Sequence, residues 1–118
     1  MQTWWAAGRL LFEVGRKSEA LDFFRSARER CGQHDHALRI RMCLEIARVY
    51  RSVRDSEAER YLREIEKDLP HAAFALPGMR EWVLGSVANL RGDKVVGASH
   101  IKLANSQGLP YPFRAIGY

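Results

Sequence analysis

The stretch from Trp4 to Ala27, WWAAGRLLFEVGRKSEALDFFRSA, decides the fold. Trp4, Ala7, Gly8 and Leu11 stand at i, i+3, i+4 and i+7, the spacing that lines up side chains on one face of an α-helix. A helix is therefore expected from Thr3 to Val14. Gly15 stops it, because glycine accepts the left-handed backbone angles found just past a helix end. Ser18 is expected to cap a second helix, its hydroxyl accepting a free backbone N–H of the opening turn. Ala20, Phe23, Phe24 and Ala27 give that helix its apolar face, and Gly32 is expected to end it. The segment reads as a helix hairpin.

The pattern recurs. Ser18-Glu19-Ala20 returns 38 residues later as Ser56-Glu57-Ala58. Before it, Cys43, Ile46, Ala47 and Tyr50 repeat the first-helix face; after it, Ala58, Tyr61, Leu62 and Ile65 repeat the second, and Pro70 closes the unit. The first-helix faces are offset by 39 residues (Leu11 to Tyr50), so the loop around Asp55 is expected to be one residue shorter than its counterpart. In a third copy, Leu84, Gly85 and Ala88 match Ala7, Gly8 and Leu11 at an offset of 77. At the same offset Gly92, Gly97, Ile101 and Ala104 match Gly15, Ala20, Phe24 and Ala27, and Pro110 breaks the helix. Small residues at Ala7/Gly8, Ala47 and Gly85, and at Ala20, Ala58 and Gly97, let antiparallel helices approach while a large neighbour fills the gap. One hairpin cannot bury its apolar face alone; stacked copies can, so a period in this range predicts a solenoid. The expected architecture is all-α, one domain over 1–118, with repeats at about 2–33, 36–70 and 77–110 and a tail at 111–118.

Trp4, Gly8, Gly15, Ala20, Phe24 and Ala27 resemble the tetratricopeptide repeat family, whose pattern is Trp-x-x-Leu-Gly followed by Ala-x-x-x-Phe and a small residue. The sequence departs from that pattern in three places: Ala7 stands for Leu, Gly32 stands for Pro, and Gly97 is a glycine inside a helix. The period also exceeds the family's length of about 34 residues. Longer repeats of this kind, with the segment Leu90-Arg91-Gly92-Asp93 through Ala104, look like those in helical sensor arms of bacterial signalling regulators. The resemblance implies a right-handed α-α superhelix of three hairpins whose first helices line a concave groove. That groove would hold a peptide or a segment of another protein. Carried onto this chain, its lining is Trp5, Arg9 and Glu13, then Arg41, Leu44, Glu45 and Arg48, then Trp82, Ser86 and Asn89. Arginine pairs with carboxylates and aromatic rings supply contact area, which suits such a surface. The family's carboxylate clamp is not expected, because Trp5 and Arg9 occupy its first positions. The implied function is a protein–protein interaction module. One alternative is a regulatory or sensor domain of a larger bacterial signalling or transcription-regulatory protein. Another is a basic helical-repeat RNA binder.

Composition frames these expectations. A hydrophobic share of 47% with 28% charged residues is that of a globular chain. The formal charge is +5, but arginines alternate with acids, as in Glu57, Glu59, Arg60, Arg63 and Glu64, so nucleic acid is not the expected partner. Two cysteines make no disulfide framework, which points to a reducing, cytoplasmic setting. No signal peptide or membrane span is expected. Cys31, His34, His36 and Cys43 match no zinc-ligand spacing, and no cofactor or metal is expected. Ser99 and His100 are neighbours on a helix and point apart, so no nucleophile and base come together and no enzyme is expected. The array opens on Trp4 and Trp5 and ends in the apolar tail Tyr111, Phe113, Ile116 and Tyr118. Ends of that kind call for a cap, further chain or self-association.

Overall fold

A computed structural model of the chain describes residues 2–109, with side chains from Ala7 onward. The tail at 111–118 and the side chains of Trp4 and Trp5 lie outside the described residues. Among the described residues there are six α-helices and no strand: α1 (Gln2–Glu13), α2 (Lys17–Glu29), α3 (His36–Ser52), α4 (Glu57–Asp68), α5 (Met79–Leu90) and α6 (Lys94–Ser106). A single 3-10 turn, Leu69–His71, follows α4. The chain divides into two compact units, Met1–Ala72 and Ala73–Tyr118. None of these helices is long and apolar enough to cross a membrane.

Each hairpin turns through the same backbone device. At the end of α1, the N–H of Gly15 donates to the carbonyl of Phe12 (3.0 Å) and that of Arg16 to Leu11 (2.8 Å). At the end of α3, Arg54 donates to Arg51 (3.0 Å) and Asp55 to Tyr50 (2.9 Å); at the end of α5, Gly92 donates to Asn89 (3.0 Å) and Asp93 to Ala88 (2.9 Å). The residue at the turn is left-handed in all three, with φ of 86° at Gly15, 57° at Arg54 and 92° at Gly92. This pairing satisfies carbonyls that the helix end leaves open. The deeper acceptors are Leu11, Tyr50 and Ala88, which are the residues aligned by the offsets of 39 and 77. The repeat is thus written in the backbone as well as in the apolar pattern.

The shortened connection of the second hairpin has a local cause. Ala20 and Gly97 each donate to the carbonyl four residues back, Arg16 and Asp93, whereas Ala58 donates only three residues back to Asp55 (3.2 Å). The missing residue is absorbed by a tightened opening turn of α4, not by the loop. Two sequence expectations are corrected. Ser18 lies inside α2, whose N-cap is Arg16 with no side-chain cap; the side-chain caps are Asp35 on α3 and Asp93 on α6, which accept from Leu38 and Val96 (3.2 Å each). Gly32 does not end α2, which closes at Glu29 through a turn where Cys31 N–H donates to Arg28 O (3.2 Å).

Close approach explains the small residues. A Cβ added to Gly8 would lie 2.6 Å from the Phe24 ring, and one added to Gly85 would lie 2.9 Å from Ile101 Cδ1. Both pairs sit at the same hairpin position, where the second hairpin carries Ala47 and Leu62, both buried. Ala20, Ala58 and Gly97 are buried as well. In the first unit α2 packs on α1 and α3, α3 packs on α4, and α1 reaches α3. Two charged contacts repeat this stacking: Arg9 donates to Glu45, joining the first helices, and Arg28 donates to Glu64, joining the second helices. Flanked by three helices, α3 buries an unbroken run from Met42 to Ala47.

Candidate interaction surface on α1 and α3

Helical spacing sets Arg9 and Glu13 one turn apart on α1, and Arg41, Glu45 and Arg48 on one face of α3. The structure brings these five side chains together. Glu45 is buried, with a side chain 1% exposed, and Arg9 Nη1 stands 3.4 Å from each of its carboxylate oxygens. Arg9 also reaches the exposed Glu13 at 3.9 Å. The Arg48 guanidinium lies over the Phe12 ring, 4.7 Å from its centre, a cation–π contact that holds its plane. Burial lowers the Arg41 guanidinium from its ordinary pKa; Glu45 opposes that shift and Arg9 adds to it. Burial and then Arg9 lower Arg48, against Glu45 and Glu13. Three guanidinium groups and two carboxylates therefore share this face, leaving one net positive charge in a partly desolvated setting.

The other expected groove residues whose side chains are described are buried or engaged within their own hairpin. Leu44 is fully buried in the core. On α5, Trp82 and Ser86 are fully buried, with Ser86 Oγ donating to the Trp82 carbonyl at 2.8 Å. Asn89 fills the space left open by Gly97, where an added Cβ would lie 2.6 Å from Asn89 Cγ. The Trp5 side chain lies outside the described residues. Phe12 was absent from the expected lining, although the helical period places it three residues after Arg9.

Other chemistry-bearing side chains are engaged in local pairs and one small cluster. Burial pushes the Cys43 thiol up to about 12, and its Sγ lies 3.6 Å from Glu64 Oε2. Burial also raises the Cys31 thiol, which donates to the Ala27 carbonyl at 3.3 Å. His36 Nδ1 and Asp68 Oδ1 are 2.8 Å apart, and Arg39 donates to the same oxygen at 3.2 Å. Burial alone would raise the Asp68 carboxyl, but the His36 and Arg39 hydrogen bonds outweigh it and hold the group below its ordinary value. His100 pairs with Glu81 at 2.7 Å, while Ser99 Oγ donates to the Val95 carbonyl at 3.2 Å. Among the described residues, no group of three or more His, Cys, Asp or Glu is placed to hold a metal ion. Compared with protein-family models, with curated proteins and with solved structures, the chain matches none.

Proposed function

We propose that the chain is a non-catalytic, cytoplasmic interaction module that holds a segment of another protein along the face shared by α1 and α3. In this reading the three hairpins form a right-handed superhelix like that of tetratricopeptide arrays. The observation that carries the reading is the set of Arg9, Arg41 and Arg48 gathered about the buried Glu45 on successive first helices. Arginine is suited to such a face because its planar fork pairs with carboxylates and stacks on rings, and Arg48 over Phe12 already does the latter. The recurring turn device and the small-residue contacts support the repeat reading, since both return at the same offsets.

Site-resolved photo-crosslinking tests the proposal. A photoreactive residue at the exposed Glu13 should capture a protein partner, while the same probe at the exposed Asp22 on α2 should not. Arg48→Ala should abolish the Glu13 adduct. Equal capture at both positions, or an adduct indifferent to Arg48→Ala, would remove the α1/α3 face from consideration.

A further inference from the structure

We infer that His36 is a proton-operated latch on the connection between α2 and α3: neutral, its Nδ1 accepts from Arg39; protonated, it donates to Asp68 and displaces Arg39, which lets the connection go. The latch is independent of the proposed α1/α3 binding face.

His36 opens α3 and Asp68 closes α4. The Nδ1 atom of His36 stands 2.8 Å from Asp68 Oδ1 and 2.7 Å from Arg39 Nη2. The first neighbour is an acceptor and the second a donor. One ring nitrogen serves only one of them, donating when it carries hydrogen and accepting when it is bare. Arg39 Nη2 also lies 3.2 Å from Asp68 Oδ1, and its two hydrogens can serve a bare Nδ1 and the carboxylate together. Through Nη1 the same guanidinium donates to the carbonyls of Gly32 (3.3 Å) and Gln33 (3.1 Å), both exposed residues of the connection. Within that connection the Asp35 N–H donates to the Gly32 carbonyl at 3.0 Å. Arg39 is thus the tie between the connection and the His36–Asp68 pair.

A proton on His36 breaks the tie from one side. The charged imidazole carries hydrogen on both nitrogens, so Nδ1 can only donate, and Asp68 is its acceptor. Two cations then compete for one carboxylate oxygen. Arg39, with the longer side chain and the greater rotamer freedom, gives way and takes its bonds to Gly32 and Gln33 with it. Asp68 stays ionised meanwhile: burial alone would raise it, but the bonds from His36 and Arg39 hold it below its ordinary value. The other groups around the pair leave this logic intact. The Asp35 carboxylate accepts from the Leu38 N–H, and Arg28 is paired with Glu64. Burial raises the Cys31 thiol, so it stays neutral although it lies within reach of Asp35, Arg39 and Asp68. On the 3-10 turn, the His71 ring centre is 5.5 Å from that of His36, and its charge in acid adds to the repulsion. Histidine is the side chain that changes charge between about pH 5 and about pH 8, so the latch would work near neutrality.

Nitrogen-15 NMR of the full chain, titrated from about pH 8 to about pH 5, tests the latch. The neutral His36 ring should carry its hydrogen on Nε2. As His36 gains its proton, protection of the Asp35 amide from exchange, corrected for the intrinsic pH dependence of exchange, should fall several-fold with the same midpoint. His36→Gln should remove that response and His71→Gln should keep it. Arg39→Ala should leave the Asp35 amide poorly protected at both ends of the titration, whereas a direct effect of the His36 charge would persist without Arg39. A neutral His36 with its hydrogen on Nδ1 overturns the inference, as does Asp35 protection that ignores pH. So does a response that survives His36→Gln or Arg39→Ala, or one that vanishes with His71→Gln. If His36→Gln does not fold, the tautomer and the shared midpoint in the unaltered chain decide the matter.

Discussion

Replacing Gly8 with Ala sets a methyl carbon 2.6 Å from Cε1 and 2.8 Å from Cζ of Phe24, whose side chain is fully buried. Forcing a methyl into a packed core costs about 1–3 kcal/mol, and exchanging Gly for Ala within a helix returns about 1 kcal/mol. The net loss for Gly8→Ala should be about 0–2 kcal/mol. Phe24→Leu alone trims a filled site and should cost about 1–2 kcal/mol, less than the range of about 3–5 kcal/mol for truncation to Ala. The double variant rebuilds the pair that the second hairpin carries, Ala47 with Leu62. Its methyl enters space the ring has given up, so the clash disappears and the helix-propensity gain remains. The double variant should therefore be more stable than the sum of the singles by about 1 kcal/mol or more. Urea unfolding of the four proteins, followed by helical circular dichroism, measures that coupling. Additivity within about 0.3–0.5 kcal/mol would mean that the two residues do not touch. The account of how α1 meets α2 would then fail.

Arg54 occupies the left-handed position that glycine holds in the other two hairpins. Arg54→Gly should raise stability by about 0.5–1 kcal/mol, because the steric penalty of a side chain there exceeds the added freedom of glycine in the unfolded chain; an unchanged or lower urea midpoint would contradict the turn assignment. Asp68 is held below its ordinary pKa, so its contribution is present above the unfolded value of about 3.9 and is lost as pH falls through the folded value. The stability gap between wild type and Asp68→Asn should accordingly be open at neutral pH and shrink in acid, and a gap that does not change with pH would refute the pairing. With its thiol pushed up to about 12, Cys43 should resist an alkylating reagent in the folded chain and react only on unfolding, whereas the half-exposed Cys31 should label slowly. Mass spectrometry of partly labelled protein distinguishes the two.

The fold was legible where two independent patterns coincided. The apolar periods set the helices, and the offsets of 39 and 77 set the hairpins; the left-handed turns at Gly15, Arg54 and Gly92 fall at matching points. Arg54 shows why composition alone would have missed one turn, since an arginine gives no warning that it will adopt φ of 57°. Ser18 and Gly32 misled for the opposite reason. Each is a residue type that favours a helix boundary, yet the burial of Ala20, Phe24 and Ala27 fixes where α2 lies, and weak terminal preferences yield to it. Likewise, the sequence offset located the missing residue of the second hairpin only to the stretch between Tyr50 and Ala58. Backbone hydrogen bonds were needed to assign it to the first turn of α4.

The site was less legible, because a helical period tells which residues share a face but not how deep that face lies. The spacing sets Arg41, Glu45 and Arg48 on one arc of α3, and Leu44, expected beside them, is buried in the core. α3 has helices on three sides, so its core-facing arc widens until Leu44 falls inside it. Trp82 and Ser86, also expected on the groove, are fully buried on α5. What the period could not anticipate is that Glu45 itself is buried. A carboxylate that faced water would be an ordinary partner for Arg9, of little consequence for binding. Buried and 3.4 Å from Arg9, it is instead a contact that joins α1 to α3, so Glu45→Ala should lower the urea midpoint by leaving a largely buried guanidinium without that carboxylate.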